Sequence, residues 1–171
     1  MPRLNPLLIA LMTATGLVTS PAFAAPAGKP LPAAVFEIEL VDTSGEASSQ
    51  AQKERIEATT AALREKLTET GYFQPVDLAP ASGKIAGLKS CEQCLLGVAK
   101  DMGAEVAVLG KVNKISTLIL SMDITVRDVS DGKVTARGTA DIRGDNDRSW
   151  LRGMEWLVQH RIIPQENRAP R

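Results

Sequence analysis

The sequence contains few of the residues that most enzyme active sites require. Among its 171 residues there are one histidine, His160, and two cysteines, and only 4% of the residues are aromatic. A Ser-His-Asp or Cys-His site would have to depend on His160, and neither a Gly-x-Ser-x-Gly motif nor a phosphate-binding glycine loop occurs. We therefore expect a protein without catalytic residues and without a cofactor.

The charge balance argues against two classes of partner. Lysine plus arginine and aspartate plus glutamate each number 20, so the net charge is zero. A neutral chain lacks the positive field that attracts nucleic acid or an anionic membrane. Beyond the N-terminal segment, no apolar run approaches the roughly 20 residues that span a bilayer, so we expect no membrane span in the mature chain.

The N-terminal segment has the three parts of a secretory signal. Arg3 supplies a positive charge, residues 7–18 are mostly apolar and carry no charge, and Ala22-Phe23-Ala24 is a small-x-small cleavage site. We predict a signal peptide at 1–24, a flexible lead at 25–34, a single α/β domain at 35–163 and a flexible tail at 164–171. The mature protein is then expected in a bacterial periplasm.

Hydrophobic periodicity predicts the element order β-α-β-α-β-β-β-α. Residues 35–41 alternate, residues 52–70 have helical period, and residues 105–112 are almost continuously apolar. Two longer alternating runs follow on either side of Ser130-Asp131-Gly132, a hairpin turn, and a last helix starts near residue 147. These patterns favour an α/β (α+β) fold of two layers, with about five strands in a mixed sheet and three helices on one face.

The two cysteines, Cys91 and Cys94, form a CxxC motif at the start of a predicted helix, with Ser90 as a possible cap. A thiolate at that position would have a lowered pKa, which suits a redox couple in which Cys91 attacks and Cys94 resolves. However, Cys91 lies on the apolar stripe of the helix, which would bury its sulfur. We favour a structural disulfide, and leave open a redox couple or a metal clip. Metal binding lacks support, because two ligands do not close a site.

A cluster of acidic residues and two tryptophans surround the start of the last helix. The spacing of Asp141, Asp145 and Asp147 does not match a calcium-binding EF-hand loop. A helix cap and salt bridges to Arg143 or Arg148 explain these acidic residues. Trp150 shares the core stripe of the helix, whereas Trp156 does not and is a candidate contact residue.

Several stretches of the chain resemble known families. Residues 36–44 and 71–77 are similar to the α/β domain shared by TolB N-terminal and CsgG-like exported bacterial proteins. The CxxC motif, Gly103-Ala104-Glu105, residues 110–116 and residues 143–150 resemble DUF2380, a periplasmic family without an assigned reaction. The resemblance implies a domain that binds partners in envelope assemblies, and it transfers no catalytic residue.

These observations favour a non-enzymatic accessory or binding protein of the cell envelope that acts on a protein partner. We expect its interaction surface on the polar face of the predicted 118–142 hairpin, at Asp123, Arg127 and Arg137, with Trp156 as a further candidate. The alternatives are a thiol-disulfide oxidoreductase that uses Cys91 and Cys94, and a carrier of a small ligand or metal.

Overall fold

The predicted α/β class and mixed sheet are confirmed by a computed structural model, which describes residues 28–88 and 91–164. The strands are β1 Leu31–Val35, β2 Glu39–Asp42, β3 Phe73–Pro75, β4 Val106–Lys114, β5 Ile119–Asp128 and β6 Val134–Arg143. The helices are α1 Gln50–Glu69, α2 Ser82–Ala86, α3 Glu92–Asp101 and α4 Asp147–Leu157. A 3-10 turn, Ala79–Ala81, precedes α2, and a π-helical turn, Val158–Ile162, follows α4.

The strands form one mixed sheet in the order β3-β1-β4-β5-β6, and β2 pairs with β4 beyond the end of β1. β1 is parallel to β3 and β4, and β2 is parallel to β4. β5 is antiparallel to both β4 and β6. β1 and β2 pair one after the other with the same edge of β4. Together they occupy the place of the single first strand predicted at residues 35–41.

A close approach of Ile38 to β4 marks the break between β1 and β2. Ile38 packs directly over Gly110, where an added Cβ would lie 2.7 Å from the Ile38 Cγ1. The Ile38 backbone N–H donates to the hydroxyl of Thr60 on α1 at 3.1 Å. A glycine at 110 therefore allows this close approach, which a larger side chain would prevent.

The helices cover both faces of the sheet. The larger core cluster joins α1 and α4 to one face, through residues such as Leu63, Trp150 and Met154. The smaller cluster packs α3 on the opposite face, where Leu95 and Val98 belong to the same cluster as Ala34, Phe36 and Ala107. This placement differs from the expected single helical layer.

Strand order explains the position of α3. From β1 through α1 to β3 the chain moves towards one edge of the sheet, and from β3 through α3 to β4 it moves back across β1. Both connections join parallel strands, and such crossovers are almost always right-handed. These two right-handed crossovers run in opposite directions along the sheet, so their helices must lie on opposite faces. α1 therefore lies on one face and α3 on the other.

The first strand begins earlier than the alternating pattern indicated. β1 starts at Leu31, within the stretch predicted as a flexible lead, and Ala33 and Ala34 are fully buried. A strand of small residues buried on both faces has no polar alternation that could reveal it. The predicted signal peptide at 1–24 lies outside the described residues, as do residues 165–171 of the predicted tail.

Candidate functional site

The strands β4, β5 and β6 leave part of the sheet face that carries α3 open to solvent. The side chains at odd-numbered positions of β4 and β5 point to the face that carries α3, which covers only part of it. Beyond α3 lies a recess of about 240 Å³. We call this recess and its polar rim the hairpin surface; it is lined by Phe36, Glu37, Glu39, Glu92, Leu95, Leu109, Gly110, Lys111, Asn113, Asp123, Thr125 and Arg137.

Two of the predicted contact residues, Asp123 and Arg137, meet on the hairpin surface. One carboxylate oxygen of Asp123 accepts a hydrogen bond from Asn113 at 3.1 Å, and the other accepts one from the hydroxyl of Thr139. The Arg137 guanidinium lies 3.9 Å from Asp123, and its side chain is 65% exposed. Asp123 is thus held in place by the sheet, while most of Arg137 faces solvent.

Arg127, the third predicted residue of this face, has a structural role at the far end of β5. Its guanidinium lies 2.9 Å from the Glu92 carboxylate at the start of α3. It also donates to the backbone carbonyl of Gly132 in the hairpin turn at 2.9 Å. These contacts tie the turn to α3 and leave Arg127 less available than Arg137 to a partner.

Trp156 lies on the opposite side of the sheet from the hairpin surface, on α4. It is 42% exposed. Its ring stacks on His160, with the centroids 5.0 Å apart, and the Arg161 guanidinium lies 5.5 Å from the centroid of the Trp156 ring. The residues predicted as one candidate set therefore occupy two separate surfaces.

The cysteines form a disulfide at the start of α3. Cys91 occupies the N-cap position, and its sulfur accepts a hydrogen bond from the Cys94 backbone N–H at 3.2 Å. The expectation that the helix stripe buries Cys91 is wrong, because Cys91 is half-buried and Cys94 is exposed. Ser90, the other predicted cap, lies outside the described residues.

Sequence reasoning missed a buried charge network at the ends of β2 and β4. The Lys114 side chain is only 2% exposed. Its ammonium lies 2.7 Å from Glu46, 3.1 Å from Asp145 and 3.3 Å from Asp42. The hydrogen bond from Lys114 to Glu46, together with the other two carboxylates, raises the pKa of Lys114 above its usual value despite burial.

The acidic residues of the network are fixed by further partners. Arg55 on α1 contacts Asp145 at 2.7 Å and Asp147 at 2.8 Å. The indole N–H of Trp150 also donates to Asp145 at 3.1 Å. Salt bridges from Asp145 and Asp147 to Arg143 or Arg148 were expected, but their partners come from distant parts of the chain. The helix cap is Asn146, whose side chain accepts from the Ser149 backbone N–H.

Asp42 joins the network to the start of α1. Its carboxylate accepts hydrogen bonds from the hydroxyl and the backbone N–H of Ser44, and from the side-chain amide of Gln52 at 3.2 Å. These bonds, led by the one from the Ser44 hydroxyl, lower the pKa of Asp42 to about 2. The network therefore connects β2, the following loop, α1, β4 and the start of α4.

One signal in the sequence pointed to this network. Lys114 stands at the inward position that continues the buried series Val106, Val108, Gly110 and Val112 on β4. A lysine at such a position is almost never fully buried without partners, so it implies carboxylates nearby. The three segments quoted for the resemblances, around Asp42, Lys114 and Asp145, meet here.

The described residues give no sign of a metal centre or a membrane span. No group of three or more histidine, cysteine, aspartate or glutamate side chains within them could hold a metal ion. No helix in this part of the chain combines the length and apolar character needed to cross a bilayer.

The fold and the hairpin surface define a small mixed α/β domain with an open polar sheet face. The chain belongs to the family described as Protein of unknown function (DUF2380), whose model, DUF3280, matches residues 32–162. This match confirms the DUF2380 part of the resemblance. No curated protein matches the chain.

Solved structures of LpoB show the same fold. The LpoB C-terminal domain from Salmonella enterica has a TM-score of 0.53 and 16% identity, covering 70% of this chain and 87% of that chain. The NMR structure of E. coli LpoB has a TM-score of 0.51 and 13% identity, covering 85% of each chain. At these identities the likeness concerns the fold alone, and the likeness to TolB N-terminal and CsgG-like domains stays a prediction.

Proposed function

We propose that this protein is a non-enzymatic accessory protein of the cell envelope, located in the periplasm, that binds a protein partner through the hairpin surface. The predicted signal peptide supports export. The fold shared with LpoB and the resemblance to envelope-assembly domains support a role in binding.

The observation that carries the proposal is the uncovered part of the sheet beyond α3. α1 and α4 cover one face of the sheet, whereas α3 covers only part of the other face and leaves the recess beside it open. Here the recess is lined by charges of both signs, among them Lys111, Glu39 and Asp123. Arg137 also lines it, with most of its side chain exposed to solvent. Fixed polar groups beside an exposed arginine favour a partner surface that carries both charge and hydrogen-bonding groups.

Site-specific photo-crosslinking in the periplasm tests the proposal. A photoreactive residue at Thr125, within the hairpin surface, is expected to give an adduct with a different protein. The matched control is the same residue at Glu57, which is exposed on α1. Absence of an adduct from position 125, or equal adducts from both positions, would contradict a binding role for this surface. An adduct of twice the chain mass would identify a second copy and would also count against the proposal.

A thiol-disulfide exchange function is the second candidate, because Cys94 is exposed at the start of α3. Equilibration in glutathione buffers separates the two functions. A redox enzyme is reduced within the range of these buffers, whereas a structural disulfide has a potential below about −300 mV and stays oxidised. A Cys94→Ser variant should trap a mixed disulfide on Cys91 only if the pair takes part in exchange.

A further inference from the structure

The strand β6 forms a long edge of the sheet. Within residues 28–88 and 91–164, it pairs only with β5 over its ten residues. It contains no proline, whereas the opposite edge, β3, has three residues and includes Pro75. Natural proteins usually shorten an edge strand or block it with proline or lysine, because free N–H and C=O groups attract another strand. β6 has neither proline nor lysine, and the irregularity in its pairing lies at its start, opposite Val126 and Arg127, so residues 137–143 form a regular edge.

The hydrogen-bonding pattern shows which residues of β6 face outwards. Backbone hydrogen bonds from Ile115 to Ile119 and from Val129 to Glu105 show that odd-numbered residues of β5 bond to β4. Its even-numbered residues therefore bond to β6, as the bond from Gly144 to Leu118 confirms. Because Leu120 pairs with Ile142 and Met122 pairs with Ala140, the even-numbered residues of β6 bond to β5. The outward backbone groups belong to Arg137, Thr139, Asp141 and Arg143.

We infer that β6 pairs with β6 of a second copy of this chain, antiparallel, about a two-fold axis at Thr139. In this register Thr139 faces its own counterpart, and Arg137 of each copy faces Asp141 of the other. All three of these residue pairs use outward backbone groups, which gives about six hydrogen bonds across the axis. The positive Arg137 and the negative Asp141 are thus complementary across the axis, as a two-fold interface requires.

The charged residues are suited to this pairing. Arg137 and Asp141 are both exposed and lie on the same face of β6. Arg137 is 3.9 Å from Asp123, so its contact within the chain is weak, and Asp141 forms no ion pair with the described residues. Opposite charges that face each other across two antiparallel strands stabilise the pair, and the symmetry supplies this contact twice.

The outer flank of α4 adds an apolar contribution. The Ser149 hydroxyl donates to the Arg143 carbonyl, and Gly153 lies against Ile142, so this flank of α4 runs along β6. Trp156 follows on the next turn of the same flank. Leu157 and Arg161 pack over Gly138, which places Trp156 near the proposed two-fold axis. A partly exposed tryptophan would then be buried between the two copies.

A cysteine scan on the purified mature chain tests the register. In a hydrogen-bonded antiparallel pair the two Cα atoms are about 5.5 Å apart, within the span of a disulfide. Thr139→Cys should therefore form an intermolecular disulfide in mild oxidant, identified by peptide mapping. Thr135→Cys, at another exposed threonine of the same strand, is the control. Its two copies would be about 27 Å apart, at 3.4 Å per residue over eight residues, and should not link.

A charge exchange tests the pairing independently. Arg137→Asp and Asp141→Arg alone each place like charges opposite one another twice, and should weaken dimerisation roughly tenfold. The double variant, R137D with D141R, should restore it. Sedimentation equilibrium measures the dissociation constant, and circular dichroism verifies that each variant is folded. A folded wild-type chain that stays monomeric at about 100 µM, equal linking at 135 and 139, or a double variant as weak as the single ones would overturn the inference.

This inference goes beyond the proposed function and has its own test, although Arg137 belongs both to the hairpin surface and to the proposed pairing. It is measured on one purified protein, and it concerns the edge of β6, whereas the partner of the hairpin surface is captured from position 125 on β5.

Discussion

Replacing Lys114 with methionine should destabilise the domain substantially. Methionine keeps an unbranched side chain of similar length and removes the ammonium group that faces Asp42, Glu46 and Asp145. Loss of one partner from a buried ion pair typically costs 3–5 kcal/mol, because the remaining charge is left without compensation.

The structure places the expected cost at the lower end of that range. Asp145 keeps Arg55 at 2.7 Å, and the Glu46 side chain is 47% exposed and can be solvated. We therefore expect the free energy of unfolding to fall by about 3 kcal/mol. For a domain of this size, the melting temperature should fall by roughly 10 °C.

Urea unfolding followed by circular dichroism measures this change, with Lys111→Met as the matched control. Lys111 lies on the same strand and pairs with Glu39 at 3.4 Å, but its side chain is 42% exposed. An exposed pair of this kind contributes between zero and about 1 kcal/mol. The reasoning is wrong if Lys114→Met is as stable as Lys111→Met, or more stable than the wild type.

Two further predictions concern pH and packing. The pKa of Asp42 is lowered to about 2 in the folded chain from 3.8, so its stabilising contribution is present above pH 4 and is lost as the pH falls towards 2. In acid titrations of unfolding free energy, the difference between wild type and Asp42→Asn should shrink over this range; a constant difference would contradict the assignment. Gly138→Ala should destabilise by about 1–3 kcal/mol, because the new Cβ would lie 2.5 Å from the Arg161 Cβ. Gly97 lies on α3 with open space around it, so Gly97→Ala should stabilise the domain by about 0.5–1 kcal/mol. Thermal melts compare the two variants. Melting temperatures that shift in the same direction would refute the packing argument.

The β5–β6 hairpin and α1 could be predicted because their sequences contain complete local signals. Alternation on either side of Asp131-Gly132 determines the hairpin, and Gly132 has the positive φ, 72°, that such a turn requires. Gly71, with a φ of 66°, likewise ends α1 where the helical period stops. The signals that determine these elements lie within a few residues of one another in the sequence.

The side of the sheet on which α3 lies could not be read from its own residues. An apolar stripe indicates that one face of a helix is covered, and gives no information about which sheet face covers it. That choice follows from the position of β1 between β3 and β4, which is a long-range property. The early start of β1 was missed for a related reason, since Ala33 and Ala34 are buried on both faces and show no alternation.

The candidate surface was predicted in part. Asp123 and Arg137 were identified because they point away from the apolar face of the hairpin, and the register brings them together. The role of Arg127 in holding α3 depends on Glu92, which lies far from it in sequence. The buried network around Lys114 depends on side chains from five segments, and only the inward position of the lysine indicated it.

The position of β1 between β3 and β4 has a consequence for the order of events during synthesis. Ala34 pairs with Ala107, so the first strand has no neighbour on that side until α3 and β4 have left the ribosome. Contacts between distant parts of the chain are slow to form, because loop closure must precede the gain from pairing. The sheet of a nascent chain cannot be completed before β4 has been synthesised. For a protein with a predicted export signal, this delay favours passage through a translocation pore before the sheet can assemble.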